Sequence, residues 1–147
     1  MSYLFDRCES LETIKGLDNF NTSNVTNMEY MFYGCSTLKT ININDLNTTL
    51  VENMEGMLQK CSSLTILDLS SLDTNLTKNA NNMFSDDINL AYINLTNFDE
   101  SSIIQTKNIF KNNSFEQPEN TLSKFLILET SKFDILIQVS DSHPSNI

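Results

Sequence analysis

Cys8, Cys35 and Cys61 follow one another at steps of 27 and 26 residues. A column of thiols suggests two kinds of chemistry, metal ligation or a ladder of disulfides. Neither fits the spacing. Zinc sites draw on close pairs such as C-x-x-C, and this sequence has none. One thiol per unit reads instead as a column of small buried apolar groups. His143 is the single histidine and lies in a Ser/Pro tail. A general base there would lack an orienting partner, so His143 reads as a solvated tail residue. No Cys–His or Ser–His–Asp neighbourhood offers a nucleophile. Asp86 and Asp87 lack the alternating acidic spacing and the glycine of a calcium loop, and read as a solvated helix end. No catalytic residue, metal ligand or cofactor is expected, and the chain is expected to be non-enzymatic.

Six glycosylation sequons begin at Asn21, Asn24, Asn47, Asn75, Asn94 and Asn112. In a chain rich in Asn and Thr they read as compositional, unless the host secretes through a glycosylating pathway.

The cysteines belong to a larger pattern. Leu4, Met31, Met57, Met83 and Ile109 step by 27, 26, 26 and 26 residues. Leu38, Leu64 and Leu90 keep the same step, as do Ile41, Leu67 and Ile93. A fixed period of this length points to stacked supersecondary units. Two periodicities alternate inside each unit. Val25, Met28, Met31, Phe32 and Cys35 fall on one face of a helix, and Val51, Met54, Met57, Leu58 and Cys61 repeat it. Thr22, Ser23 and Asn24 stand before the first of these and suit its N-terminal cap. Then the period becomes two. Ile41 and Ile43, Leu67 and Leu69, Ile93 and Leu95 alternate with polar residues, as in half-buried strands. Phe20, Leu46, Leu72 and Phe98 close the inner layer. Each is followed by Asn21, Asn47, Asp73 or Asp99, residues that hold turns through side-chain-to-backbone bonds.

The expected fold is an α/β solenoid: a leucine-rich-repeat-like stack of strand–turn–short helix units with a parallel sheet on one face. A single unit buries too little apolar surface to order itself, so the units must stack. One array is expected over residues 1–139, with units at about 1–21, 22–47, 48–73, 74–99 and 100–134. The last contains an insertion near 112–121, around Pro118, and a degraded strand at 125–134. Ile135 to Val139 reads as one more strand, and 140–147 as a disordered tail. Met1 aligns with Met28, inside a unit, which suggests a fragment or a late start within a longer reading frame.

Leu64-x-x-Leu67-x-Leu69 at this step resembles a leucine-rich repeat. Phe20-Asn-Thr-Ser-Asn-Val-Thr-Asn-Met28, followed by Tyr30-Met-Phe-Tyr-Gly-Cys35, resembles the BspA-like 26-residue repeat of bacterial surface proteins and lipoproteins. Ala80 and Thr106 replace the repeat methionine, and Asp87 and Asn113 stand where Cys is expected. The resemblance implies a secreted or surface-displayed array used in adhesion to a host or cell-surface protein. It supplies no catalytic residues.

Composition narrows the partners. The chain of 147 residues carries a formal charge of −10, and its pI is near 4.3. No basic stripe suits a nucleic acid or an anionic membrane surface. No apolar run has the roughly 18–20 residues of a membrane span. The residues after Met1 carry charges where a signal peptide is apolar. Binding is therefore expected on the strand face, where outward residues form columns. One column is Lys15, Asn42, Asp68 and Asn94; its neighbour is Thr13, Thr40, Ile66 and Tyr92. Thr40, Asn42, Ile66, Asp68, Tyr92 and Asn94 are the candidate ligand-binding residues. Ile66 beside Tyr92 is an apolar–aromatic pair suited to a contact hot spot. Two readings compete: an ordinary solvated face of spacer or stalk repeats with no specific ligand, or a protein-binding surface.

Overall fold

A computed structural model describes residues 1–113 of the chain. The expected strand at 125–134, the strand after Asp134, the tail at 140–147, His143 and most of the insertion near 112–121 lie outside the described residues.

Regular secondary structure is sparse among the described residues. A 3-10 turn spans Leu17–Asn19. Strand β1 spans Ile66–Asp68 and strand β2 spans Tyr92–Asn94. The two strands pair in parallel, with Ile66 opposite Tyr92, Leu67 opposite Ile93 and Asp68 opposite Asn94. The register equals the 26-residue sequence step.

The segments with helical spacing are runs of turns. In the second unit, the N–H groups of Met31, Tyr33 and Cys35 donate to the carbonyls of Met28, Tyr30 and Phe32 in overlapping turns. The intervening N–H groups of Met28, Tyr30, Phe32 and Gly34 donate outward, to the carbonyls of Asn53, Glu55, Met57 and Gln59. Alternate amides thus close the local turns and bind the next unit, so no N–H from Met28 to Cys35 depends on a helix. The Glu29 N–H donates to the Asn27 side chain. This accounting is what a buried backbone requires. The same alternation recurs from Met54 to Cys61, and it is kept by most of the amides from Ala80 to Asp86.

The alternation needs left-handed residues at fixed places. Tyr3, Tyr30, Gly56, Asn82 and Asn108 form one such column, and Arg7, Gly34, Lys60, Asp86 and Asn112 the other. Only Gly adopts this region without steric cost. At Gly56 a side chain would incur that backbone cost, as Tyr30 and Asn82 do, and a second constraint adds to it. A Cβ on Gly56 would overlap carbons of the Tyr30 ring. Gly56→Ala is expected to cost about 1–3 kcal/mol through that overlap, on top of about 1–2 kcal/mol for the left-handed backbone. Removing the ring with Tyr30→Ala in the same chain should return the overlap part of the loss and leave the backbone part, as read from denaturant midpoints in a double-mutant cycle.

One core runs the length of the described residues. Met28, Met31, Phe32, Cys35 and Leu38 are fully buried, as are Met54, Met57, Leu58, Cys61 and Leu64 one unit on. Leu67, Leu69, Ile93 and Leu95 are buried and alternate with more exposed neighbours. Phe20 departs from its expected place in the inner layer. Its N–H donates to Leu17 as Leu46 donates to Ile43, yet its side chain is 39% exposed. Leu17 is buried instead.

Side chains also tie the units together. Asn21, Asn47, Asp73 and Asp99 each accept an N–H two residues on, from Ser23, Thr49, Asn75 and Ser101. Thr22 does not act as a helix cap. Its buried hydroxyl donates to the Asn47 carbonyl and accepts the Asn47 N–H. Thr48 holds Asp73 in the same way, and Thr74 holds Asp99.

Candidate functional site

The paired strands bring four of the six candidate residues together. The Thr65 carbonyl accepts the N–H groups of Ala91 and Tyr92, and the Leu69 N–H donates to Asn94, closing the pairing at both ends. Alternation then turns Leu67 and Ile93 inward and leaves Ile66, Asp68, Tyr92 and Asn94 on the outer side. Ile66 is 61% exposed, and Tyr92 opposite it is half-buried. Thr40 and Asn42 are exposed but belong to no described strand.

The polar column already has structural work. Asn42, Asp68 and Asn94 accept the N–H groups of Asn44, Ser70 and Thr96 through their side-chain oxygens. Each holds the turn that follows its own segment. The hydrogen-bonding capacity left on this column is correspondingly smaller. Just past β1, Ser70, Ser71, Leu72, Asp73, Asn75 and Asn97 line a shallow cavity of about 300 Å³.

A second outward surface lies on the turn segments, and the sequence reading did not single it out. Tyr3 and Tyr30 stack with centroids 5.2 Å apart, and Tyr33 meets Tyr30 edge-on at 5.5 Å. Arg7 and Lys60 lie over the Tyr33 ring at 5.8 and 5.3 Å. The Tyr30 hydroxyl donates to Glu55 at 2.9 Å. Loss of solvent, then the Glu55 bond and charge, push the Tyr30 phenol up to about 12. The 27-residue step from Tyr3 to Tyr30 was the available sequence signal. Beside these rings runs an amide ladder. Asn53 donates to Glu29, and Asn79 to Glu55.

The thiol column is packing. Cys35 and Cys61 are fully buried and all three cysteines are free. The Cys35 and Cys61 thiols lie 3.2 Å from the carbonyls of Phe5 and Phe32. Burial, and then the neighbouring Cys8, push the Cys35 thiol up to about 11. Cys61 is raised further by burial and by Asp87. Neither thiol is activated for nucleophilic chemistry. No group of three or more His, Cys, Asp or Glu side chains suits a metal among the described residues.

Asp87 is not a solvated helix end. Its side chain is fully buried at the next position of the cysteine column. One carboxylate oxygen accepts the Cys61 N–H at 2.8 Å. Burial pushes its carboxyl well above the usual carboxylate range, the Cys61 N–H opposing this and the Asp86 carboxylate adding to it. The periodic place of Asp87 was the sequence signal for burial, and it outweighs the polarity of the residue.

A family model described as "Mycoplasma protein of unknown function, DUF285" matches residues 1–125. The chain belongs to the DUF285 family. No curated protein and no solved structure matches it. The match takes in every described residue of this DUF285 chain, including both paired strands, the tyrosine cluster and the cysteine column. Among the described residues, no helix is long and apolar enough to cross a membrane.

Proposed function

We propose that this chain is a non-enzymatic recognition module displayed at a cell surface. In this reading its units form a leucine-rich-repeat-like solenoid of the BspA-like kind, and the strand face binds a host or cell-surface protein. The observation that carries the reading is the register of β1 on β2. It sets Ile66, at 61% exposure, directly beside Tyr92 on the outer side. An exposed aliphatic residue next to an aromatic one offers area that a protein partner can desolvate. Family membership supports the reading only in kind, because the DUF285 description assigns no function.

The test is binding of the full chain to cells and extracellular matrix, with and without Ile66→Asp plus Tyr92→Asp. Two carboxylates in the contact should weaken binding by at least about tenfold, or roughly 1.4 kcal/mol. Ile66 is mostly outside the core, and circular dichroism checks that the half-buried Tyr92 position tolerates its change. Binding that survives the double change rejects the strand face. Wild-type protein that binds no surface leaves the spacer or stalk reading in its place.

A further inference from the structure

The cysteine column changes character at Asp87. Cys61 occupies the position as a buried thiol, Asp87 follows as a buried carboxyl, and Asn113 follows as an amide. Each polar member accepts an amide from the unit before it. Cys61 N–H donates to one Asp87 oxygen at 2.8 Å, and Asp87 N–H to the Asn113 oxygen at 3.3 Å. The other Asp87 oxygen and the Asn113 Nδ2 are both buried without a hydrogen-bond partner. No ion pair reaches Asp87 among the described residues. A buried carboxylate in this setting has one donor and no counter-charge, an expensive state.

We propose that Asp87 is a proton-gated latch in the stack: neutral, it keeps its unit docked between the Cys61 and Asn113 units, and its ionisation loosens the turn segments at 80–86 and 108–113. A neutral carboxyl carries one O–H. Proton loss leaves a charge in the core with a single donor, the Cys61 N–H. The titratable groups acting on Asp87 are the Cys61 thiol from the preceding unit and Asp86 beside it. The raised thiol leaves Cys61 neutral, and the Asp86 charge opposes ionisation of its neighbour. Lys60 is turned onto Tyr33, Lys111 is exposed, and Asn113 carries no charge.

The sign follows from linkage. The folded carboxyl binds its proton more tightly than the unfolded one. Its contribution is therefore fully present below the ordinary aspartate range and is lost as pH rises through the higher folded value. The experiment is thermal unfolding of the full chain between about pH 5 and pH 8.5, with Asp87→Asn and Asp86→Asn beside wild type. Wild type should lose stability as pH rises. Asp87→Asn, which cannot ionise, should have a flatter profile and exceed wild type at the alkaline end. Asp86→Asn should keep the loss of stability with rising pH, with its onset moved to lower pH because the charge opposing Asp87 ionisation is gone. Acidification also relieves the net charge of −10, and the Asp86→Asn control carries that general effect. An Asp87→Asn profile parallel to wild type overturns the proposal. Should that variant fail to fold, amide exchange of the wild type decides. Protection at Cys61, Asn82, Phe84 and Asp86, corrected for intrinsic rates, should fall at least about tenfold across the range. Protection unchanged at these amides overturns it equally.

Discussion

Phe84→Ala is expected to destabilise the chain by about 3–5 kcal/mol, the usual range for truncating a buried aromatic. Phe84 is fully buried and stacks on Phe110 at 5.3 Å with planes 17° apart. Phe5 and Phe32 make the equivalent pair at the other end, at 5.4 Å and 4°. Alanine would lose the transfer energy of the ring, leave a cavity, and unstack Phe110. The backbone limits relaxation into that cavity. Phe84 N–H is fixed to the Ile109 carbonyl, and the flanking amides of Asn82 and Asp86 to Lys107 and Lys111. Phe84→Leu should cost much less, under about 1.5 kcal/mol, because it conserves most of the volume. Leu58 already fills this column position one unit earlier, fully buried. Urea unfolding of the three proteins measures both numbers. A loss under about 1 kcal/mol for Phe84→Ala would show that the site collapses freely, against the ladder argument.

The contrast between these variants reflects what the sequence shows and what it hides. The 26-residue columns were legible because burial repeats at fixed places. Met31, Met57 and Met83 are all fully buried, whatever backbone carries them. The backbone itself was not legible. Apolar residues at i, i+3, i+6, i+7 and i+10 mark one face of a helix, but a ribbon of overlapping turns gives the same inward set. The distinguishing feature is the left-handed column at Tyr30 and Asn82. Propensity gives no warning of Tyr there, since the cost of about 1–2 kcal/mol is offset only by hydrogen bonds to the neighbouring unit. Those bonds join residues 25 or 26 apart, beyond any local pattern.

The candidate face was legible in part for the same reason. Period two located β1 and β2 and put Ile66 beside Tyr92. It did not reveal that Thr40 and Asn42 lie outside the paired strands. Nor did it show that Asn42, Asp68 and Asn94 spend their side-chain oxygens on turns. A polar residue in an outward column looks the same in sequence whether it faces a ligand or closes its own loop.

The threonine column is where this ambiguity has the largest energetic consequence. Thr48 belongs to a sequon by sequence, yet its side chain is 2% exposed. The hydroxyl donates to the Asp73 carbonyl and accepts the Asp73 N–H, both at 2.9 Å. A single hydroxyl therefore satisfies both backbone groups of one residue in the next unit. Thr48→Val keeps the shape and removes both bonds. Two partly buried backbone groups lose their partner, at about 1–3 kcal/mol each for full burial. Partial access to water lowers the sum to about 2–4 kcal/mol. Thr48→Ser is the informative counterpart. It retains the hydroxyl and deletes one methyl, worth about 0.8 kcal/mol. A packing role would make Ser the more damaging change, since Val loses no volume. A hydrogen-bonding role makes Val the more damaging one, by about 1–3 kcal/mol in urea unfolding. The same order should hold at Thr74, whose hydroxyl closes Asp99 in identical fashion. If Ser costs as much as Val at both positions, the inter-unit staple is only a filled space, and the turn ladder alone holds the units in register.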